Sequence, residues 1–335
     1  LQVVIVLLQL CLPLIIQNQI MPIYKIHHIT KYKYDRSIRE SANQIKIYPY
    51  NKAGQEILSH EMVITDEPNV NKHYDYWGNT VGCFTVAHPH QELVIDSRLI
   101  AKTTPIEIDE SLSKATDLIL LNKLIQKDII LLDLAQKESI KLQPEINKIL
   151  EEVLANNFTP LAISKACSQY IFDNFKYVKG ITTIETTVDQ VLSLRTGVCQ
   201  DFAHVLLQLL RTLSIPCRYV SGYICPNKNG MRGEGATHAW VEAFIPNLGW
   251  VGLDPTNNCY ANENHIQLAV GRDFTDCTSV KGTFKGPAYQ EMMVYVSVGY
   301  EDGTVFEDET AVQLVNGDGL KEPMPVIHIQ SQQQQ

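Results

Sequence analysis

The sequence predicts an α+β protein in which a small antiparallel β unit precedes a domain whose helices and strands occupy separate stretches. Three observations carry this. Residues 21 to about 104 alternate apolar and polar positions in short runs divided by turn-like segments. From Pro105 to about 175 the apolar period lengthens to that of helices, and after Cys199 strand-like runs follow one another closely.

The start, LQVVIVLLQLCLPLII, is apolar but lacks a basic leading region and a small-residue cleavage site, and it is short for a membrane span. Met21 opens an ordinary protein start, so residues 1–20 are read as an apolar leader from extra upstream translation, with a signal or anchor segment as the alternative. Residues 21–104 form the expected N-terminal β unit. In its first run Tyr24, Ile26, Tyr32 and Tyr34 share one face and Lys25, Lys31 and Lys33 the other, the period of a half-buried strand. NQIKIY, HEMVIT, TVGCFTVA and ELVIDS follow, separated by stretches such as NKAGQE and TDEPN.

Residues 105–150 are expected to be a helical connector: LILLNKLIQKDIILLDL and PEINKILEEVLANN have helical spacing. TPLAISKACSQYIFDNF begins the main domain, 151–302, with Thr159 as N-cap and Pro160 at the first helical position. FKYV, the helix led by Cys199, and the strand runs CRYVSGYI, HAWVEAFI, GWVGLD, HIQLAV and EMMVYVSVGY complete it. Residues 303–335, ending in QSQQQQ, are expected as a C-terminal tail.

Composition narrows the function. The 335 residues are 45% hydrophobic and 19% charged, with a net charge of -9 and no long basic run, which argues against a nucleic-acid binder. The eight cysteines contain no CxxC pair, so they read as free thiols in a reducing, cytoplasmic setting; export or anchoring is the alternative if residues 1–20 are genuine. No membrane partner is expected. The GEG at 233–235 precedes a strand rather than a helix and no DxDxDG loop occurs, so no cofactor or metal is expected.

The informative stretch is RTGVCQDFAH. Cys199 follows a glycine turn and leads a run that is apolar nearly all round, which marks a central buried helix. At its N-terminus, free N–H groups and the positive end of the helix dipole favour an anion, the setting that stabilises a thiolate and an oxyanion. A nucleophile needs a base. His204, five positions on, lies roughly 140° around the helix from the cysteine. His238, at the start of the strand in THAWVEAF, is the better candidate. Asp254 ends the next strand, sixteen residues later, and two strands joined by the IPNLG turn would make His238 and Asp254 neighbours. An aspartate so placed holds an imidazole in the tautomer that accepts a thiol proton.

RTGVCQDFAH, IPCRYVSGYI, THAWVEAFIPNLGWVGLDPTNN and AVGRDFTDCTSVKGTFKG together resemble the bacterial transglutaminase-like superfamily, over roughly residues 155–300. Residues 21–104 are similar to the β domain that usually precedes that core. The resemblance implies a papain-related α+β core, with Cys199 as nucleophile, His238 as base and Asp254 as the orienting acid. It further implies acyl transfer from a peptide or glutamine carboxamide, through a thioester, to water or an amine; the absence of calcium-control elements leans toward water. The substrate would be a protein or peptide. Papain-like peptidases carry an oxyanion glutamine where this chain has Ser193, and animal transglutaminases an upstream tryptophan; here the upstream aromatic is Tyr177, the candidate oxyanion donor. The rival expectation is a non-enzymatic protein-binding module on the same fold.

Overall fold

The alternating run after Pro22 becomes the longest strand, β1 (Ile23–Ile38), in a computed structural model that describes residues 21–225, 231–233, 237–300 and 305–314. Five more strands follow in the first unit: β2 (Glu40–Ile45), β3 (Gln55–Ile64), β4 (Asn71–Tyr74), β5 (Thr80–Val86) and β6 (His90–Thr103). On β1, Tyr24, Ile26, Tyr32 and Tyr34 all turn inward as the alternation requires, and His28 and Thr30 join them. Burial pushes His28 down to about 4, so it is a neutral ring that bonds the Tyr223 hydroxyl at 2.8 Å.

The helical stretch contains α1 (Asp117–Ile125), α2 (Ile129–Leu134), α3 (Gln143–Leu154) and α4 (Pro160–Asn174). The segment expected as one helix from Leu118 to Leu134 is two. Asp128 breaks it by accepting from the N–H groups of Ile130 and Leu131 at 2.8 and 3.2 Å, so its side chain starts a new helix instead of continuing the old one. Thr159 caps α4 as expected, accepting from the Ala162 N–H.

A two-residue strand β7 (Lys176–Tyr177), helix α5 (Val188–Leu194) and β8 (Thr196–Gly197) lead into α6 (Cys199–Thr212). The strands β9 (Cys217–Ile224), β10 (Thr237–Ile245), β11 (Gly249–Asp254), β12 (Cys259–Tyr260) and β13 (His265–Gly271) then form one antiparallel sheet in the order β12-β11-β10-β9-β13. One face of this sheet packs on α6 through Ala239, Val241 and Ala243 against Phe202, Ala203 and Leu206. Tyr223, Ile266 and Leu268 face the other way and share a core with Tyr24, Leu99 and Val298 of the β unit. The α+β class is therefore observed, with the sheet sandwiched between helices and the N-terminal strands.

The chain ends differently from expectation. After α7 (Phe274–Cys277), strand β14 (Val280–Lys285) pairs with β2, and β15 (Gln290–Tyr300) pairs with β1. EMMVYVSVGY, expected among the strands of the main domain, thus returns to the N-terminal unit. Its alternating Met292, Val294, Val296 and Val298 fill that unit's core, a long-range pairing that local pattern does not encode. Part of the expected tail is also strand: β16 (Val305–Leu314) lies antiparallel to β15. The apolar leader, 1–20, and the glutamine-rich end lie outside the described residues. Among the described residues, no helix is long and apolar enough to cross a membrane.

Candidate active site

Helix α6 is buried on all sides, as its composition requires. Its polar residues are accommodated individually: Gln208 bonds the backbone of Glu138 with both ends of its amide, and Arg211 donates to the carbonyls of Leu134, Cys217 and Arg272. Cys199 at its tip is 0% exposed. The turn before it depends on Gly197, because a Cβ there would stand 2.7 Å from Asp201 Oδ2 and 2.8 Å from Asp201 Cβ. That space lets the Asp201 carboxylate fold back over the helix start and accept from the Val198 N–H at 2.8 Å and the Thr182 hydroxyl at 2.7 Å. Burial raises Asp201 to about 6, with the two hydrogen bonds opposing.

Strand β7 runs parallel to β8 and sets Tyr177 opposite Gly197, two residues before Cys199. The Tyr177 ring also meets Phe202 edge-on at 6.3 Å. Arg195 pairs with Glu145 on α3. His204 lies away from the thiol as helical geometry demands, its Nδ1 bonded to the Gln200 carbonyl at 2.9 Å.

The structure brings His238 and Asp254 together. Strands β10 and β11 pair with Val241 opposite Leu253 and connect through the turn after Ile245, so the open end of the hairpin carries both side chains. His238 Nε2–H donates to Asp254 Oδ2 at 2.8 Å, and both residues are 0% exposed. Burial alone would lower the imidazole, but the Asp254 charge and the adjacent Cys199 outweigh it and raise His238 to about 10. The Cys199 sulfur acts on His238 through charge and hydrogen bonding. Because Asp254 occupies Nε2, Nδ1 is the ring nitrogen left for the sulfur.

Asp254 is surrounded by donors. Its Oδ1 accepts from the backbone N–H groups of Thr256 and Asn257 at 2.9 and 3.3 Å, the turn that Pro255 enforces. Its Oδ2 accepts from His238, from Asn257 Nδ2 at 2.8 Å and from His265 Nε2 at 3.1 Å. Burial opposes the anion, yet His238 and the other donors hold the carboxyl well below the usual range. Asn257 also accepts from the Arg232 N–H at 2.7 Å, and the Arg232 guanidinium lies 4.2 Å over the Phe172 ring. Arg232 is thereby tied to the same aspartate.

His265 and Asn257 were not expected at the site. Asn257 sits in the quoted DPTNN run, where an Asx-type turn was the available signal; His265 opens HIQLAV, which reads simply as a strand. The donor atoms of His238, Asp254 and His265 all lie within 4.8 Å of one another, a spacing that also suits a metal. Their chemistry is already satisfied otherwise, because both Nε2–H groups point at one carboxylate oxygen in a site with no exposed surface.

Burial acts on five other described thiols. Burial raises Cys217 to about 11, Cys167 and Cys259 to about 12, and Cys225 and Cys277 further still. Cys259, opposite Asp254 where β11 pairs with β12, is raised further by that carboxylate's charge.

Residues 147–255 match the family model described as the transglutaminase-like superfamily, and residues 24–102 match that of the bacterial transglutaminase-like N-terminal region. The chain is 30% identical over 277 residues to an uncharacterized protein of Mycobacterium leprae, covering 82% of this chain and 97% of that one. An uncharacterized Mycobacterium tuberculosis protein is 31% identical over 273 residues, 77% of this chain and 86% of that protein. Over a shorter stretch of 121 residues the chain is 31% identical to the protein-glutamine gamma-glutamyltransferase of Pseudomonas aeruginosa, which covers 34% of this chain and 18% of that protein. A solved structure from Cytophaga hutchinsonii, proposed to be a cysteine protease, has the same fold with a TM-score of 0.59 at 17% identity, covering 90% of this chain and 94% of that one.

Proposed function

The chain belongs to the transglutaminase-like superfamily, and from that premise we propose that it is a cysteine-dependent acyl-transfer enzyme acting on peptide or glutamine carboxamide bonds. Cys199 is the nucleophile, His238 the base and acid, and Asp254 the group that fixes the His238 ring. The supporting observation is the 2.8 Å bond from His238 Nε2 to Asp254, which leaves Nδ1 for the neighbouring thiol.

In the first half-reaction Cys199 Sγ forms a bond to the carbonyl carbon, and the displaced electron pair resides on the carbonyl oxygen. The proton held at His238 Nδ1 passes to the amide nitrogen, the C–N bond breaks, and an amine or ammonia leaves behind a thioester. Water or an amine then attacks the thioester and gives its proton to His238, and the C–S bond breaks. The oxyanion is held by the Cys199 backbone N–H at the tip of α6 and by the Tyr177 hydroxyl. Pairing of Tyr177 with Gly197 supports its part in this role. Because Cys199 and His238 are 0% exposed, substrate entry requires the residues above them to part, and the closed state keeps bulk water from the thioester.

The test is incubation of a glutamine-containing protein with the enzyme and a labelled primary amine, read by mass spectrometry. Backbone cleavage, deamidation and amine incorporation have different mass signatures, so one run identifies the acceptor. The wild-type chain is expected to yield at least one of these products and Cys199→Ala none; product that persists in Cys199→Ala would contradict the assignment.

A further inference from the structure

His265 lies ten residues beyond the last position matched by the core family model, yet it is fully buried against the aspartate of the candidate site. Burial lowers its pKa, with Asp254 opposing and the charges of His238 and Lys52 adding to the lowering, so the ring is neutral at physiological pH. Its hydrogen bonds then define one tautomer. Nε2–H donates to Asp254 Oδ2 at 3.1 Å, and Nδ1 takes a longer contact of 3.4 Å from the Asn262 N–H. The ring meets the face of Trp240 edge-on at 5.1 Å, which limits its rotation. His265 thus gives Asp254 a rigid donor without introducing a second cation beside His238.

Strand β13, which carries His265, is an edge of its sheet, and the N-terminal unit covers that edge. The Gln55 side chain accepts from the Gln267 N–H at 2.8 Å and donates to its carbonyl at 3.0 Å; Asn79 does the same for Val270 at 2.7 Å on each side. Just before His265, the Thr103 hydroxyl donates to the Glu263 carbonyl at 2.8 Å and the Tyr24 hydroxyl to Asn264 Oδ1 at 3.1 Å. Backbone and side chain on both sides of His265 are therefore fastened to the first 104 residues.

We propose that His265, on a strand that the N-terminal β unit clamps, is a positioning residue that holds Asp254 in line with His238. The inference rests on the acyl-transfer reading above. It gives the β unit a part in the chemistry, because the unit holds the strand that carries His265.

The experiment compares full-length wild type, His265→Gln, His265→Phe and His265→Asn by the pH dependence of Cys199 alkylation with iodoacetate, located by peptide mass. Iodoacetate is an anion, so its rate responds to the neighbouring imidazolium as well as to the sulfur. Glutamine can place an N–H where Nε2 stands, phenylalanine keeps the volume without a donor, and asparagine is too short. His265→Phe and His265→Asn are expected to react about tenfold more slowly at neutral pH, with the alkaline limb moved down by about one unit as His238 loses its aligned partner. His265→Gln is expected to stay within about threefold of wild type. If His265→Phe fails to fold, the contrast between Gln and Asn carries the same reading. A wild-type profile in Phe or Asn, or equal losses in Gln and Asn, would overturn the positioning role. If the wild-type Cys199 reacts no faster than the other thiols, the acyl-transfer reading fails first and this role falls with it.

Discussion

Asp254→Asn is expected to lower turnover by about 10³ to 10⁴ while leaving the chain folded. The carboxylate accepts five hydrogen bonds, three at Oδ2 and two at Oδ1. A carboxamide has one acceptor oxygen and one NH₂, so one set of donors must face another donor. With the NH₂ toward the backbone, Thr256 and Asn257 lose their partner and the DPT turn loosens. With the NH₂ toward the imidazoles, His238 Nε2 must accept, and its proton moves to Nδ1, the atom that should receive the thiol proton. In both orientations the negative charge that raises His238 is gone. The measurement is kcat/KM together with thermal unfolding, so that loss of chemistry is separated from loss of fold. Activity within tenfold of wild type would mean that Asp254 only shapes its turn.

Gly222→Ala is expected to destabilise the protein by roughly 3 kcal/mol or more, or to prevent folding. Gly222 sits in β9 between its two neighbours, opposite His238 on β10 and Gln267 on β13. A Cβ there would fall 2.1 Å from the Ile266 carbonyl oxygen and 2.6 Å from the Trp240 ring. The ring is fully buried and the oxygen is backbone, so neither can swing aside. Relief requires β9 and β13 to separate, which moves His238 and His265 apart together. Urea unfolding of the purified variant checks this, and an unchanged midpoint would show that the ladder yields more easily than close packing allows.

These two positions show unequal legibility in the sequence. Asp254 could be found because a strand, a stop at proline and a short turn are all local signals, and they fix which side chain meets His238. Cys199 was accessible for the same reason, through the glycine turn and the apolar helix behind it. The demand on Gly222 is set by an indole and a carbonyl brought in by other strands, and nothing near SGYI announces it. His265 was obscured similarly: its aspartate is only eleven residues away, but the contact passes through a change of strand and the edge position of β13.

The same limit explains the ends of the fold. Helix α5 leaves a weak trace in the sequence because seven residues give little periodicity; its one local signal is the T-x-x-Q pattern through which Thr187 and Gln190 cap each other. Alternation marks Gln290–Tyr300 as a strand with one buried face without naming its partner, so its pairing with β1 is not legible locally. Asp128 is the opposite case: an aspartate inside an apolar helical run is itself a local signal for a new N-cap.

The central claim is that Cys199 is activated by His238 and differs chemically from the buried thiols around it. The direct measurement is the rate of iodoacetamide alkylation of each cysteine in the folded wild-type chain at neutral pH, resolved by peptide mass, with Cys199→Ala as control. Cys199 is expected to be modified first, ahead of the half-buried Cys83 and Cys259, even though reagent reaches it only when the site opens. Modification of Cys199 no faster than that of Cys167 or Cys217 would contradict the account.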